Sequence, residues 1–425
     1  MKIVCGPPGF AFSPHKADLE VILFGRDASK QRGSAGAAIV EELHRKKLEP
    51  SSRALDFLSI ALAVMAADLA GHRDRSSDGW TREFDLVIAV EEPDFWKAQT
   101  APLQHLLEFL TTDRWTLAFV AGANHPKPPA KLLRPEHDCV VLVSGGLDSF
   151  TGALDLVAKG RRPFAVSQSV RGDADKQRRL TAIVGGDIGH LQLNHNTDVP
   201  DPENPPSQRG RSIAFFAHGI LAATTLQTYA EGGTVTLFVC ENGFISINPA
   251  LTPLRIGSLS TRTSHPVVLA LLQQVVDAAG IRVRFENPYA QRTKGEMLVQ
   301  SLRQDDLKKH AHTTTSCGRF KRYGYKHCGR CVPCLIRRAS FHAWKVKDQT
   351  EYVYDDLSVD DAERARSDDV RAVAMAVAEV AAGGLDGWLG VALSSSLISD
   401  KDQLRDVVER GLKELEAFLQ SYKIQ

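Results

Sequence analysis

The stretch that decides the fold is "HDCVVLVSGGLDSFTGALDLVAKG", which runs from His137 to Gly160. An apolar run ends in two glycines, and a helix-like pattern begins directly after them. Glycine lets the backbone adopt conformations closed to other residues and approach a ligand closely. The unpaired N–H groups that open the helix then attract an anion. The turn from Ser144 to Ser149, Ser-Gly-Gly-Leu-Asp-Ser, is therefore predicted to bind an anionic group.

Apolar strands alternate with helices from Asp138 onward. The predicted strands are "CVVLV", "FAVSQS", "HLQLN", "TVTLFVC" and "IRVRFE". Such alternation is typical of a parallel sheet that is covered by helices on both faces. These sheets bind ligands beyond the carboxyl ends of their strands, which is where the glycine turn stands. We predict an α/β domain over residues 138–347.

The two flanking regions differ from each other. Residues 1–135 are predicted to form an N-terminal α/β accessory domain with strands "LEVILFG", "FDLVIAV" and "WTLAFVAG". Its predicted helices are Arg53–Ala70 and Ala101–Leu110, and a proline-rich connector follows. Residues 348–425 are predicted to form a C-terminal helical region. Apolar side chains share one face of Lys401–Tyr422, which predicts a helix that packs on the core, with an oligomer or partner surface as the alternative.

Length and composition limit the classes of protein to which the chain can belong. The chain has 425 residues, which predicts two or three domains, and its 43% hydrophobic and 24% charged content is ordinary for a soluble protein. A net charge of +1 gives no reason to expect a nucleic-acid partner. The start, "MKIVCGPPGF", does not resemble a signal peptide, and no apolar run reaches the roughly 20 residues that span a bilayer. We expect a cytoplasmic protein without membrane contact, and the sequence leaves the oligomeric state open.

The residues of the glycine turn narrow its ligand. Asp148 would repel a phosphate unless it orients backbone amides or holds Mg²⁺ between itself and the phosphates. A Walker loop is excluded, because no Gly-Lys-Ser/Thr follows. The strand, the Ser-Gly-Gly-x-Asp-Ser turn and the helix together resemble the PP-loop of N-type ATP pyrophosphatases. Those enzymes cleave ATP between its α- and β-phosphates and adenylate an oxygen of the substrate, and a nucleophile then displaces AMP.

This resemblance implies ATP and Mg²⁺ as cofactors. The residues implied in nucleotide binding are Ser144, Gly145, Gly146, Leu147, Asp148, Ser149, Val166 and Gln168, the last two near the adenine. Arg171, Lys176 and Arg178 follow the second predicted strand, within reach of phosphates. Solvated basic side chains are the alternative for these three.

Four cysteines crowd into "CGRFKRYGYKHCGRCVPC", with the spacing C-x10-C-x2-C-x2-C. They are Cys317, Cys328, Cys331 and Cys334. Two residues between cysteines let a turn place two thiolates on one ion, and four thiolates make a closed, structural Zn²⁺ site. An iron–sulfur cluster uses the same ligands and is the alternative. His327 is predicted to be an exposed loop histidine rather than a ligand.

The glycine turn and the cysteine cluster together resemble the QueC family, the 7-cyano-7-deazaguanine synthases. In "CGRCVPCLIRRASFHAW", Arg337 and Phe341 match the arginine and the aromatic residue that follow the cysteines in that family. Arg211 matches the arginine of the family's Arg-Asn helix start, although Ser212 replaces the asparagine. The resemblance covers about residues 138–345.

The segment "TKGEML" resembles a Thr-Lys-x-Glu stretch of the same family. By itself, the spacing of Thr293 and Glu296 predicts a capping box at a helix start, which leaves Lys294 unexplained. The resemblance implies catalytic roles for Asp148, Arg211 and Lys294.

The same resemblance implies a reaction. The carboxylate of 7-carboxy-7-deazaguanine is adenylated and ammonia attacks, and the resulting amide is adenylated again and dehydrated to the nitrile. The larger architecture resembles the QueC-like proteins of bacterial antiphage systems, the Qat system among them. That likeness implies a protein partner from the same system, to which the nucleobase is conjugated.

Substrate specificity is predicted to reside in the loop from Gly243 to His265 and the strand end before it. Glu241 and Asn242 are predicted to pair with a guanine-like edge, and Arg262 and Ser264 to contact the substrate. The alternative is a long ordered loop that satisfies its own hydrogen bonds.

Two other functions compete with this reading. A PP-loop tRNA thiolase is disfavoured because no cysteine is placed for sulfur transfer and the chain is close to neutral. A non-catalytic, partner-binding scaffold is disfavoured by the intact Ser-Gly-Gly-x-Asp-Ser turn.

Overall fold

The chain folds into an α/β structure with two five-stranded sheets. The computed structural model describes residues 1–27, 30–169, 173–204, 206–207, 209–252, 262–358, 369–390 and 392–424. Every strand pairing is parallel, which confirms the predicted α/β class and the parallel sheet. No helix in these ranges has the length and apolar character needed to cross a bilayer.

The strands fall into one sheet for each half of the chain. The first sheet contains β1 (Lys2–Gly6), β2 (Leu19–Gly25), β3 (Gly33–Gly36), β4 (Glu83–Val90) and β5 (Arg114–Ala121). The second contains β6 (Cys139–Leu142), β7 (Pro163–Gln168), β8 (Gly189–Leu193), β9 (Val235–Phe238) and β10 (Val283–Glu286). All five strands predicted for the second sheet are present, and β2 has the predicted bounds.

Sixteen α-helices connect and follow these strands within the described ranges. They are α1 (Ala37–Lys46), α2 (Ser52–Ala70), α3 (Pro93–Ala98), α4 (Thr100–Thr111), α5 (Leu147–Ala158), α6 (Ala174–Val184), α7 (Arg211–Thr225), α8 (Gln227–Ala230), α9 (Gly243–Ile247), α10 (Pro266–Ala278), α11 (Lys294–Val299), α12 (Gln304–His310), α13 (Val332–Trp344), α14 (Val370–Gly383), α15 (Leu385–Leu389) and α16 (Lys401–Ser421). The apolar segment over residues 211–230 forms two helices, α7 and α8. The break follows Thr224 and Thr225, whose hydroxyls donate to carbonyls of their own helix, and Leu226 is extended.

Strand order places a ligand site in the second sheet. The order is β10-β9-β6-β7-β8, so the chain leaves the central β6 towards one edge and later returns to the other edge through β9. The connections after β6 and β9 therefore diverge, and a crevice opens between the carboxyl ends of these two strands. Open parallel sheets bind their ligands at such a switch point.

The first sheet repeats this topology. Its order is β3-β2-β1-β4-β5, which places its strands in the same sequence from edge to edge. The helices between the third and fourth strands of the two sheets, α2 and α7, pack on each other, and so do α4 and α10 between the fourth and fifth strands. One continuous apolar cluster includes side chains of both halves. The boundary between residues 1–135 and 138–347 as separate domains stays a prediction.

The C-terminal helix α16 packs against the second half. Its buried apolar side chains are Leu404, Val407, Val408, Leu412, Leu415, Phe418 and Leu419, which are the residues of the predicted face. The helix lies on α9 and α13. The predicted packing helix is therefore confirmed, and this apolar face is occupied by the chain itself.

Candidate functional site

The glycine turn connects β6 to α5 as predicted. Gly145 has a φ of 88°, in the left-handed region that disfavours residues with a Cβ. Ser144 Oγ lies 3.2 Å from Ser149 Oγ, and Ser149 Oγ donates to the Gly146 carbonyl at 3.1 Å. These contacts fold the turn back on itself, so that the start of α5 faces the crevice between β6 and β9.

The start of α5 carries no side-chain cap. The starts of neighbouring helices do: Asn242 caps α9, His265 caps α10 and Thr293 caps α11. First-turn N–H groups have no partner within their own helix and attract anions. The starts of α7 and α13 at the same cavity also lack a side-chain cap, so the missing cap is not particular to α5. At α5 the uncapped first turn directly follows the glycine turn, which suits a phosphate ligand.

Asp148 connects the turn to two other elements. Its carboxylate is 7% exposed and forms a buried ion pair with Lys294 Nζ. The other carboxylate oxygen accepts from Asn242 Nδ2 at 2.6 Å and from Asn242 N at 3.1 Å. Both oxygens therefore have donors. Of the two roles predicted for Asp148, orientation of its neighbours is the one these contacts display, and lone pairs remain for a cation.

Lys294 reaches Asp148 because its helix starts at that point. The predicted capping box is confirmed: Glu296 N donates to Thr293 Oγ1 at 3.1 Å, and Thr293 N donates to Glu296 Oε2 at 2.9 Å. Lys294 is the first residue after the cap and is only 4% exposed. A buried ammonium and a buried carboxylate are stable only as a pair, so each holds the other in place.

Glu241 stands beside this pair at the end of β9. It accepts a hydrogen bond from Ser264 Oγ. Burial, together with the neighbouring charge of Asp148, raises the pKa of Glu241 to about 6. This carboxyl therefore changes charge close to neutral pH, which is a property common at functional sites.

These residues border one cavity of about 440 Å³. The residues predicted for catalysis, nucleotide binding or substrate binding that line it are Ser144, Gly146, Leu147, Asp148, Ser149, Gln168, Arg211, Glu241 and Lys294. They come from five separate segments of the sequence, and the switch point of the second sheet brings them together. Cys317 of the predicted metal site also lines the cavity. The volume falls in the range of small-molecule sites.

Arg211 begins α7 at the rim of this cavity. Its Nε donates to Gln168 Oε1 at 3.3 Å, while the Gln168 Nε2 group is buried without a partner among the described residues. Burial lowers the pKa of Arg211, and Asp173 opposes that shift. The guanidinium stays charged at neutral pH and offers further donors to an anion.

Five of the predicted residues stand elsewhere. Gly145 and Val166 support the turn and the sheet without lining the cavity, Asn242 lies beneath Asp148, and Ser264 holds Glu241. Arg262 points to the first half of the chain, where its Nη1 donates to the Phe109 carbonyl at 2.9 Å. Its guanidinium also stacks on the Phe109 ring, so the structure uses it between the two halves.

The three basic residues predicted to lie near phosphates do not come together at the cavity in the described part of the chain. Lys176 Nζ donates to Thr315 Oγ1 and lies 4.3 Å from the centre of the Phe320 ring. Arg178 pairs with Asp175 on the exposed face of α6. Arg171 lies outside the described residues.

Sequence reasoning missed one wall of the cavity. Residues 315–318, which surround the first cysteine, Cys317, line it directly beside the glycine turn. Thr315 N donates to the Gly145 carbonyl at 3.0 Å. The sequence did contain one indication of this wall, because Thr315 stands only two residues before Cys317. A metal that fixes this cysteine would also fix the neighbouring wall.

The four cysteines form the predicted cluster. Their sulfur atoms all lie within 4.8 Å of one another, and Cys317–Cys331 and Cys328–Cys334 are each 3.9 Å apart. Tetrahedral Zn–S bonds of about 2.3 Å put the sulfurs just under 4 Å apart, so the spacing fits one shared ion. An iron–sulfur cluster inserts several atoms between its cysteines and needs wider spacing.

Backbone amides complete this candidate metal centre. Arg319 N and Cys328 N each lie 3.3 Å from Cys317 Sγ, and Cys331 N lies 3.3 Å from Cys328 Sγ. Such donors stabilise thiolates, the form that binds a metal. The four ligands leave no open position for a substrate, so the fit is to a structural Zn²⁺.

His327 was predicted to be exposed, and this was wrong, although it is not among the four residues of the candidate metal group. Its ring is buried, at 5% exposure, and Nε2 accepts from Ser316 N at 3.1 Å. The aromatic rings of Phe320 and Tyr352 enclose it. The histidine therefore stabilises the cysteine loop by packing inside it. The charged residues around it in the sequence had suggested an exposed position instead.

A larger cavity, of about 910 Å³, lies at the amino ends of the first sheet. None of the predicted site residues lines it. Its charged side chains pair with one another, as in Arg75–Asp201 and Arg32–Glu20. The smaller cavity, with its uncapped helix and buried charges, is the candidate active site.

Half of the chain is similar in sequence to proteins named 7-cyano-7-deazaguanine synthase. It is 25% identical over 241 residues to the 7-cyano-7-deazaguanine synthase of Rhizobium etli (strain CIAT 652), across 50% of this chain and 91% of that protein. It is 28% identical over 230 residues to the 7-cyano-7-deazaguanine synthase of Ralstonia pickettii (strain 12J), across 50% of this chain and 98% of that protein.

A third relative is matched over a smaller share of its own length. The 7-cyano-7-deazaguanine synthase of Saccharolobus solfataricus is 24% identical over 233 residues, which are 52% of this chain and 48% of that protein. No family model matches the chain, and neither does any solved structure. About half of this chain is thus similar to 7-cyano-7-deazaguanine synthases.

Proposed function

We propose that the chain is an ATP-dependent ligase of the PP-loop type that adenylates the carboxylate of a 7-deazaguanine, with 7-carboxy-7-deazaguanine as the substrate. The observation that carries this proposal is the cavity at the switch point. There the uncapped glycine turn faces Lys294, Arg211 and Glu241. The sequence similarity to 7-cyano-7-deazaguanine synthases supports the same substrate class.

The chemistry needs activation because a carboxylate is a poor electrophile. A carboxylate oxygen attacks the α-phosphorus of ATP, the bond to the bridging oxygen breaks, and pyrophosphate leaves. An amine then attacks the acyl carbon, AMP leaves with the carboxylate oxygen, and the nitrogen loses a proton. Binding both reactants in line supplies most of the rate enhancement.

The side chains divide these tasks. The N–H groups of the glycine turn and the hydroxyls of Ser144 and Ser149 bind the departing pyrophosphate. Lys294 and Arg211 neutralise charge that develops as the bond breaks. Mg²⁺ would be held by the phosphates and by Asp148, and it would offset phosphate charge. Glu241, when ionised, accepts N–H donors from the guanine-like edge.

The identity of the amine determines the product. Ammonia gives an amide, and a second adenylation of that amide followed by dehydration gives the nitrile. An α-amine at the N-terminus of a partner protein gives a conjugate, as the likeness to antiphage QueC-like proteins suggests. We propose conjugation in antiphage defence as the role of the added N- and C-terminal regions.

Pyrophosphate exchange tests the first step apart from the second. Purified protein, ATP, Mg²⁺ and labelled pyrophosphate are incubated with and without 7-carboxy-7-deazaguanine, and label in ATP is measured. We expect exchange that depends on the carboxylate and is lost in Asp148→Asn. Asp175→Asn, at an exposed site on α6, serves as the matched control and should retain exchange. Exchange that persists in Asp148→Asn would refute the assigned site.

Intact mass spectrometry tests conjugation. Proteins encoded beside this chain are co-expressed with the wild type and with Asp148→Asn. A mass increase equal to the deazaguanine acyl group, present only with the wild type, supports conjugation. Unshifted neighbours together with free nitrile in the medium would support the small-molecule product instead.

A further inference from the structure

The C-terminal helix α16 contacts the two helix starts that hold Asp148. Asp148 is bound by Asn242, the cap of α9, and by Lys294, the first residue of α11. These two helices have only five and six residues. Helices that short are unstable unless other elements fix them. What fixes them determines the geometry of the buried pair.

At α11, the contacts from α16 are polar. Glu414 accepts from Thr293 Oγ1 and, at 3.2 Å, from Gly295 N. A Cβ on Gly295 would overlap the Glu414 carboxylate, so glycine permits the close approach. Glu414 thereby satisfies N–H and hydroxyl donors at the helix start on either side of Lys294.

A second side chain of α16 fixes the capping box itself. Arg410 Nε donates to Glu296 Oε1 at 2.6 Å, and Arg410 Nη2 donates to the Gln291 carbonyl at 2.9 Å. Glu296 is the residue that reaches back to Thr293 N in the box. Arg410 therefore holds both the first turn of α11 and the chain that leads into it.

At α9, the contacts from α16 are apolar and very close. Gly411 faces the Phe244 ring, and a Cβ there would overlap the ring. One turn earlier, Val407 packs on Gly243, where a Cβ would come within 3.0 Å of Val407 Cγ1. Gly243 and Phe244 are the first two residues after the Asn242 cap, so α16 fixes the direction of that side chain.

We propose that α16 is a positioning helix for the active site: through Glu414, Arg410 and Gly411 it sets the starts of α9 and α11, and so holds Asn242 and Lys294 on Asp148. This inference rests on the proposed function of the cavity. None of the three residues of α16 lines the cavity, so they act through the residues that do.

Two pairs of variants test the helix. Gly411→Ala pushes α16 from α9, and Gly383→Ala, on α14 with open space around it, is its matched control. Glu414→Ala removes the acceptor at α11, and Glu416→Ala, which contacts Gln420 within the same helix, is its control. Each protein is assayed for carboxylate-dependent AMP release, with kcat and KM measured separately.

We expect Gly411→Ala and Glu414→Ala to lower kcat about 10-fold or more while the controls match the wild type, since small misplacements of reacting groups cost that much. Hydrogen–deuterium exchange supplies a readout that does not need activity. Peptides that cover residues 240–248 and 290–299 should exchange faster in the two variants, with the strands of the second sheet unchanged. Faster exchange throughout the chain would mean general destabilisation and would overturn the positioning role.

The two readouts separate the failure of this inference from failure of the proposed function. If the wild type releases no AMP but exchange increases locally in both variants, α16 is a positioning helix and the assigned reaction is wrong. If the wild type is active and both variants match their controls in kcat and in local exchange, the positioning role is wrong.

Discussion

The pairing of Asp148 with Lys294 is the most consequential contact between individual residues. Each group is almost fully buried, and Asn242 donates twice to the carboxylate. Removing one member of such a pair leaves the other charged and unpaired in a poorly solvated site. The pair also aims the ammonium at the cavity that the glycine turn borders.

Lys294→Met should therefore abolish most of the activity. We expect carboxylate-dependent AMP release to fall about 100-fold or more, as with the loss of an electrostatic contact in the transition state. Lys308→Met, at an exposed position of α12, is the control for loss of one lysine. Steady-state kinetics measures the effect, and a variant within twofold of the wild type would exclude Lys294 from catalysis.

The raised pKa of Glu241 leads to a prediction for how activity depends on pH. Burial raises the pKa of this carboxyl to about 6, so it is protonated below that pH and ionised above it. If the ionised form binds the N–H edge of the substrate, kcat/KM rises as the pH increases through about 6. In Glu241→Gln that rise should disappear. A profile that keeps its acid limb in Glu241→Gln would assign the limb to another group.

Individual site residues could be predicted from the sequence more easily than the contacts that they make. The glycine turn, the capping box and the cysteines are short patterns whose chemistry is local, and each appears in the fold. The contacts of Arg262 and His327 are decided by packing between segments far apart in sequence. Local polarity suggested a substrate contact and an exposed ring, whereas tertiary packing placed the first on Phe109 and buried the second.

Among the elements, the cysteine loop contributes both a metal site and a wall of the cavity. Thr315 bonds the glycine turn, and Arg337, which is fully buried, donates to Thr314 Oγ1 at 3.0 Å and Ser316 Oγ at 3.1 Å. A metal held by the cysteines would therefore fix the loop against the turn that is proposed to bind pyrophosphate. On the proposed function, the loop would link metal occupancy to nucleotide binding.

Loss of the metal should weaken nucleotide binding as well as folding. Native mass spectrometry should find one Zn²⁺ per chain, absent in Cys331→Ser. We expect Cys331→Ser to have a lower Tm and a raised KM for ATP, because the 315–318 wall loses its support. Zinc content that is unchanged in Cys331→Ser would contradict the four-cysteine site. A brown protein with bound iron and sulfide would favour the cluster instead.

Elements with strong patterns were predictable, and those without were missed. The strands of the second sheet are apolar and regularly spaced, and α16 shows its buried face in every turn. β1 and β3 were not predicted. β3 is Gly-Ser-Ala-Gly, which has no large side chain to signal a strand, and β1 is a five-residue segment that ends at a glycine. β1 pairs with β2 on one side and β4 on the other, and β3 pairs with β2. This pairing, rather than their own propensity, makes them strands.

Across the whole molecule, the repeated strand order makes the first half a counterpart of the second. Equivalent helices face each other, α2 on α7 and α4 on α10. At the start of α7, Gly210 N donates to Asp68 Oδ2 of α2 at 2.9 Å, directly before Arg211. The first half thus supports one rim of the cavity. The packing of α2 on α7 and of α4 on α10 could not be predicted from either half of the sequence alone, because it depends on which helix faces meet.

Asp68 also belongs to a buried charge cluster at this junction. Arg82 Nη2 donates to Asp68 Oδ1 and to Asp113 Oδ2, each at 2.6 Å, and all three side chains are at most 3% exposed. Asp68→Ala should lower the free energy of unfolding by about 3–5 kcal/mol, since it breaks a buried ion pair. Urea denaturation measures the change. Glu83→Ala, which breaks an exposed pair with Arg114, should leave the midpoint almost unchanged.

Transfer of a labelled oxygen atom distinguishes adenylation of the carboxylate from hydrolysis of ATP. Adenylation of a carboxylate transfers one of its oxygens to AMP, whereas hydrolysis of ATP takes that oxygen from water. The purified chain is supplied with ATP, Mg²⁺, ammonia and 7-carboxy-7-deazaguanine labelled with ¹⁸O in its carboxylate, and AMP is analysed by mass spectrometry. With the wild type we expect AMP that carries one ¹⁸O atom, and with Asp148→Asn we expect no labelled AMP. Unlabelled AMP from the wild type, or ADP in place of AMP, would contradict adenylation of the carboxylate.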